Sequence, residues 1–294
     1  MIETLLYQHL QNNSSALSGL AKYRGKIAVF NQESPDDMDE GWSGTQYGRI
    51  VYAVDLTDDP ERQISGSMMV DVYCENGKQI PEDFEPVVRS LIDGYFFTTK
   101  EATIAAQWSS SNYFTEAGKK VSGVTIAFDL LAFPIQETLA MDPVALLNQW
   151  SDDYLKIHIN YDFTVINHNV TEEVWKPTDK KPALYWRLIS IGHCNYIPDT
   201  YHCIWQTAEI KCNVIAESKE VMVKIARYID NLLSMNKRLI FDDDSPLMID
   251  SVKINTTSDS VKTGQITVYG TYGILREYPE VSKLNHIYID GRSV

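Results

Sequence analysis

The sequence predicts an α+β protein made of two similar units, each an antiparallel sheet with helices packed on one face. Three observations carry this. The chain has 294 residues, about twice a usual domain. Its strand-like runs are grouped, and the helices between them are too widely spaced for a regular βαβ alternation. The order of elements in the first half recurs in the second: Tyr47 matches Tyr185, Val88 matches Ile225 and Phe128 matches Val268, at offsets of 138, 137 and 140. The units are read as residues 1–141 and 142–294.

In the first half, residues 2–10 place Ile2, Leu5, Leu6 and Leu10 on one face of a short helix. A strand follows at 26–30, then a polar, acidic loop at 32–45 and a longer strand at 47–56. Asp58-Asp59-Pro60-Glu61 has the residues of a turn. Residues 66–74 alternate and pair with the strand before them. Pro81-Glu82-Asp83 opens a helix, because Pro fits the first turn and acids suit the positive end of the helix dipole. Its apolar face is Phe84, Val87, Val88, Leu91 and Ile92. Strands at 102–108 and 121–133 close the unit, with a Ser-rich loop at 109–120 between them.

The second half repeats that order. Asp142-Pro143 supplies the cap and first turn of a helix reaching Trp150. A strand is expected at 156–166, then a polar loop at 167–181. Strands at 182–192 and 208–216 answer 47–56 and 66–74. Residues 217–234 form the strongest helix, with Val221, Ile225, Ala226, Ile229, Leu232 and Leu233 on one side. Strands at 247–254 and 263–275 finish the unit around a polar loop at 255–262.

Composition narrows the function. With 40 acidic against 26 basic residues and a formal charge of −14, the surface is unsuited to holding nucleic acid, which needs Lys and Arg to displace phosphate counterions. The longest apolar stretch, 124–135, is broken by Asp129 and Pro134 and falls short of the ~20 residues of a membrane span. Met1-Ile2-Glu3-Thr4 lacks the basic and apolar regions of a secretion signal. Four cysteines are too few for a disulfide scaffold, so a reducing compartment is expected. Seven tyrosines in or near strands (47, 52, 73, 95, 185, 269 and 272) suit either sheet packing or interfaces.

Three clusters are candidates for chemistry. His193-Cys194 and His202-Cys203 flank a turn at Pro198-Asp199, so a hairpin would bring zinc-type ligands together or allow a Cys194–Cys203 disulfide. Neighbouring residues on a strand point to opposite faces, which leaves one from each pair able to converge and favours ordinary loop residues. Asp36-Asp37 with Asp39-Glu40, and Asp242-Asp243-Asp244, are acidic enough for a divalent cation. Neither follows a calcium-loop spacing, and the second has good turn chemistry. No metal or cofactor is therefore expected. The phosphate-cradling Gly-Lys loop, the Gly-x-Ser-x-Gly elbow, the His-Glu-x-x-His helix and the dinucleotide fingerprint are all missing from the sequence, so an enzyme is not expected.

A short helix and loop precede a Pro/aromatic strand in each half: Pro182-Ala183-Leu184-Tyr185-Trp186 and, more loosely, Gln46-Tyr47-Gly48-Arg49. A strand then leads into a helix over 208–233, and a final strand runs from Thr263 through Tyr269 to Gly273. This series resembles the tail terminator proteins of long-tailed phages. It extends over most of 1–155 and 143–280, as a pattern of elements rather than of invariant residues.

The resemblance implies a structural virion protein, at the tail or neck, that forms a ring capping the tail tube and joining it to the neck or head. The partners implied are further copies of the chain, the tail tube protein, neck or connector proteins, and DNA passing through without specific binding. Neither a membrane nor a cofactor is among them. Family members are single units of about half this length in six-membered rings. A tandem copy implies a ring of three or six chains. Asp242, Asp243 and Asp244 would then belong to an acidic lumen that repels phosphate. The alternatives are a baseplate or host-binding tail module and a metal-dependent enzyme.

Overall fold

The computed structural model describes residues 2–57, 65–116, 120–135, 141–168 and 173–276. The turn expected at 58–61 and the end of the second unit, 277–294, lie outside the described residues. The first half contains α1 (Ile2–Asn12), β1 (Lys22–Tyr23), β2 (Lys26–Ile27), β3 (Val29–Asn31), β4 (Arg49–Leu56) and β5 (Gly66–Glu75). It continues with α2 (Pro81–Ile92), β6 (Phe96–Thr98), β7 (Ala102–Thr115) and β8 (Val121–Pro134). The second half opens with α3 (Pro143–Trp150), which passes through a wider π turn at Ser151–Leu155 into α4 (Lys156–Ile159). Then come β9 (Thr164–Val165), β10 (Glu173–Trp175), β11 (Ala183–His193), β12 (Cys203–Ile215), α5 (Lys219–Asn236), β13 (Arg238–Ile240), β14 (Pro246–Ile254) and β15 (Ile266–Leu275).

The fold is α+β, and its two main sheets share one strand order. The first runs β6-β7-β8-β5-β4-β3 and the second β13-β14-β15-β12-β11-β9. The sheets are not purely antiparallel as expected: β3 runs parallel to β4, and β9 runs parallel to β11, at the same edge of each sheet. Twenty residues separate Val29 from Ile50 and eighteen separate Val165 from Leu184. Connections that long can return the chain to the same end of the sheet, as a parallel pair requires.

Register makes the correspondence residue by residue. The row Val29–Ile50–Val72 in the first sheet answers Val165–Leu184–Val214 in the second. Tyr52–Val70–Ile126 answers Trp186–Cys212–Ile266, and Met68–Phe128 answers Ile210–Val268. These rows keep the Phe128–Val268 match. They make Tyr185 the counterpart of Val51 instead of Tyr47, because the chain takes more residues from Leu184 to its partner Val214 than from Ile50 to its partner Val72. Matched by their buried faces, Ile92 answers Leu233 and Val88 answers Ile229, one helical turn beyond Ile225.

Each sheet packs one face on its helices. In the first, Leu6, Leu10, Val88 and Ile92 meet Ile50, Val70, Ile126 and Phe128. In the second, Leu147, Ile225, Ile229 and Leu233 meet Trp186, Ile210, Val214 and Val268. Removal of this apolar surface from water is the main force holding each unit. The caps follow the sequence: Asp142 accepts the Val144 N–H at 2.7 Å, and Ser218 accepts the Val221 N–H at 3.3 Å.

Three expectations are corrected. Residues 156–159 are helical, and only Thr164–Val165 is strand. Val144, Leu147, Leu155 and Ile159 continue one buried helical face past Trp150, the Lys156–Asp152 pair supports it one turn apart, and Asn160 ends it in the left-handed conformation. The Ser-rich segment is no loop, since β7 runs through it to Thr115 and pairs with β8 after a bulge between Trp108 and Ser110. The loop at 167–181 holds β10. The three-residue strands β6, β10 and β13 are too short to show a period-two pattern.

Candidate assembly interface

The two units meet through one joint. From the first unit come Phe96, Ala105, Leu131 and Phe133, on the sheet face turned away from its helices. From the second come Ile166, Ala183, Tyr185, Ile215 and Val261. Phe133 and Tyr185 sit edge to face with centroids 5.0 Å apart, and the Tyr185 hydroxyl donates to the Pro134 carbonyl at 3.1 Å. The Asn167 amide donates to the carbonyls of Phe133 and Pro134 at 2.8 and 2.9 Å. Lys262 and Asp129 pair at the rim at 3.5 Å.

The joint is completed by a strand that crosses between units. β10 lies in the connection between β9 and β11, yet it pairs antiparallel with β6 of the first sheet, Glu173 opposite Thr98 and Trp175 opposite Phe96. Trp175 stacks on Phe96 and donates its indole N–H to Thr98 Oγ1 at 2.9 Å. Val174, on the other face, packs on the first unit's core. Lys176 Nζ donates to the Asp93 carbonyl at 2.9 Å and lies 5.3 Å from the Tyr95 ring centre. A sheet edge is thereby covered by backbone pairing, with alternate side chains adding apolar contact.

The shared topology gives both sides of this joint a counterpart elsewhere on the molecule. The edge strand equivalent to β6 is β13, and no described strand pairs with its outer side. The face equivalent to Ile166, Ala183, Tyr185 and Ile215 is formed by Phe30, Arg49, Val51 and Tyr73, all half-buried. There the Arg49 guanidinium lies over the rings of Trp42, Tyr47 and Tyr73 at 5.8, 4.9 and 5.6 Å and pairs with Asp37 at 2.6 Å. Its Nε is enclosed without a hydrogen-bond acceptor. An enclosed donor with no acceptor is costly and uncommon in a finished surface.

The residues singled out by sequence fall in different places. Asp242, Asp243 and Asp244 are exposed in the tight turn joining β13 to β14. Asp243 accepts the Ser245 hydroxyl and N–H at 2.6 and 3.0 Å, which holds its carboxyl below the usual carboxylate range. The turn chemistry is as expected. Asp36, Asp37 and Asp39 are likewise engaged by their own loop: Asp36 accepts the Met38 N–H at 2.8 Å, and Asp39 accepts the Gly41 N–H and the Tyr23 hydroxyl at 2.7 and 3.1 Å.

The His/Cys pairs do not converge. His193 Nε2 lies 3.3 Å from Asp199, which also receives the Trp205 N–H at 3.1 Å and Arg276 at 3.4 Å. The Trp205 N–H does most to depress the Asp199 carboxyl, with His193 and Arg276 adding to it. Cys194 and Cys203 are both free thiols, so the disulfide alternative is removed. Among the described residues no three His, Cys, Asp or Glu side chains are grouped to hold a metal. None of the described helices is long and apolar enough to cross a membrane. Sequence reasoning missed the joint itself, whose one legible sign was the Val174-Trp175 pair inside an otherwise polar loop.

Compared with known proteins, the chain matches no family model and no curated relative.

Proposed function

We propose that this protein is a structural subunit of a long-tailed phage, closing head to tail into a ring of three or six chains that caps the tail tube and joins it to the neck or head. It acts by assembly, without catalysis or cofactor. The observation that carries this reading is the joint: one unit lends β10 to its neighbour's sheet, and the second unit ends in the same kind of edge. A contact that uses different patches on its two sides repeats from copy to copy, and it gives a closed ring when the rotation divides a full turn. The acidic balance supports the station on the tail, because carboxylate walls let DNA slide where basic walls would hold it. On this reading Asp242, Asp243 and Asp244 face the lumen.

The test is electron microscopy of the purified full-length protein, alone and mixed with isolated tail tubes. Rings that sit on one end of the tubes support the proposal. Rings with no affinity for tubes remove the tail station, and a monomer at high concentration removes the ring.

A further inference from the structure

We infer that β13 is the acceptor edge for the next copy of this chain, and that the donor is that copy's β3–β4 loop, residues 32–48. The inference rests on the ring reading above and names the surfaces that close it. In the joint inside the chain, Tyr95 O and Thr99 N bond to β7, leaving Phe96 and Thr98 directed outward to β10. In the second unit, Lys237 O bonds to Ile249 of β14 and Phe241 N to Ser245 just before it, in the same alternation, which directs Arg238 and Ile240 outward. Beside this edge a groove of about 490 Å³ opens between α3 and the end of β13, lined by the apolar Met141, Ala145, Leu146 and Phe241 and by the carboxylates Asp142, Asp242 and Asp243. The corresponding position in the first unit lies between α1 and β6, and β10 contacts both elements there.

The donor is identified by position. Val174 stands nine residues after Val165, and Met38 stands nine residues after Val29, its counterpart in register. Val174 is packed on a core, whereas Met38 is 89% exposed, the most of any large apolar side chain described. On the acceptor side, Met235 is 79% and Ile240 48% exposed. If β10 is the guide, Met38 pairs opposite Leu239 and points into the groove. Asp39 then falls opposite Arg238, and Glu40 falls beside Lys237, where Lys176 meets Tyr95 within the chain. The acidic donor thus meets the basic end of the edge. Docking also brings the Arg49 face against the next copy. The turn at 36–41 opens into a strand in the process, giving up the Asp36–Met38, Asp39–Gly41 and Asp37–Arg49 contacts in exchange for pairing along β13.

The experiment uses the full chain in two isotopic forms, unlabelled and nitrogen-15-labelled, mixed and treated with a zero-length carbodiimide. The expected result is a cross-link between the 36–40 carboxylates and Lys237 that carries one labelled and one unlabelled peptide. Ile240→Glu, at an exposed site, is expected to weaken association at least tenfold while leaving the circular dichroism spectrum unchanged. Should that variant misfold, the cross-link in the unaltered protein decides. A ring that forms without a mixed-label cross-link overturns this joint but leaves the ring standing. A chain that never associates overturns both.

Discussion

Trp175 lies in the second half of the sequence and Phe96 in the first, yet their rings stack with centroids 4.9 Å apart at 28°. The indole also donates to Thr98 Oγ1. Trp175→Ala removes the stack, the hydrogen bond and part of the cover over β6. We expect a loss of about 2–3 kcal/mol, below the full cost of a core Trp because Trp175 is half-buried. Urea denaturation followed by circular dichroism checks this. A change under about 0.5 kcal/mol would show that β10 adds nothing to the joint.

Tyr52 and Trp186 are counterparts in register, and each ties the first helix of its unit to the sheet. The Tyr52 hydroxyl donates to the Glu3 carbonyl at 2.8 Å, and the Trp186 indole N–H donates to Ser151 Oγ at 2.8 Å. Tyr52→Phe keeps the shape and loses one hydrogen bond, so about 1 kcal/mol is expected. Trp186→Phe loses the bond and also leaves a cavity in a fully buried site, so about 2–4 kcal/mol is expected. Measured in the same denaturation series, the second variant should be the more damaging.

Acid should weaken the first unit through His9. Burial holds its imidazole below the usual value of 6.5, against the opposing pull of the Leu91 carbonyl 2.8 Å from Nε2. The folded state then binds fewer protons than the unfolded chain around that pH. The stability His9 contributes is complete above about pH 6.5 and is lost as the pH falls toward its folded value. The thermal midpoint should therefore drop as the pH falls below about 6.5, and His9→Gln should flatten part of that drop.

Thiol reactivity separates the four cysteines. Cys74, Cys194 and Cys212 are buried, and Cys203 is partly exposed. Burial pushes the Cys74 thiol up to about 11 and moves Cys212 in the same direction, which suppresses the reactive thiolate. Under native conditions one thiol per chain should react with an aromatic disulfide reagent, slowly, because burial also raises Cys203. In denaturant all four should react. Two in denaturant would mean a disulfide joins a pair.

The duplicated α+β plan was legible because Val, Ile, Leu and aromatic residues alternate along the long strands and recur one unit later. The helix α5 was legible for the same reason, with Ile225, Ile229 and Leu233 at helical spacing. What failed to show was short or non-local. Three residues of β6 or β13 cannot display a period. Helix α4 was hidden because Lys156-Ile157-His158-Ile159 alternates like a strand. The crossing of β10 depends on contacts 77 residues apart, such as Trp175 with Thr98, which no local pattern records. For the same reason Met38 and Ile240 carry no local signal, whereas the acidic runs stand out by composition alone.

Ring closure depends on repetition of one joint between units, within the chain and between chains. Mass photometry of the purified protein across a concentration series tests that most directly. A discrete species of three or six chains, without larger material as concentration rises, is predicted. A population that stays monomeric, or that grows without limit into filaments, would contradict it.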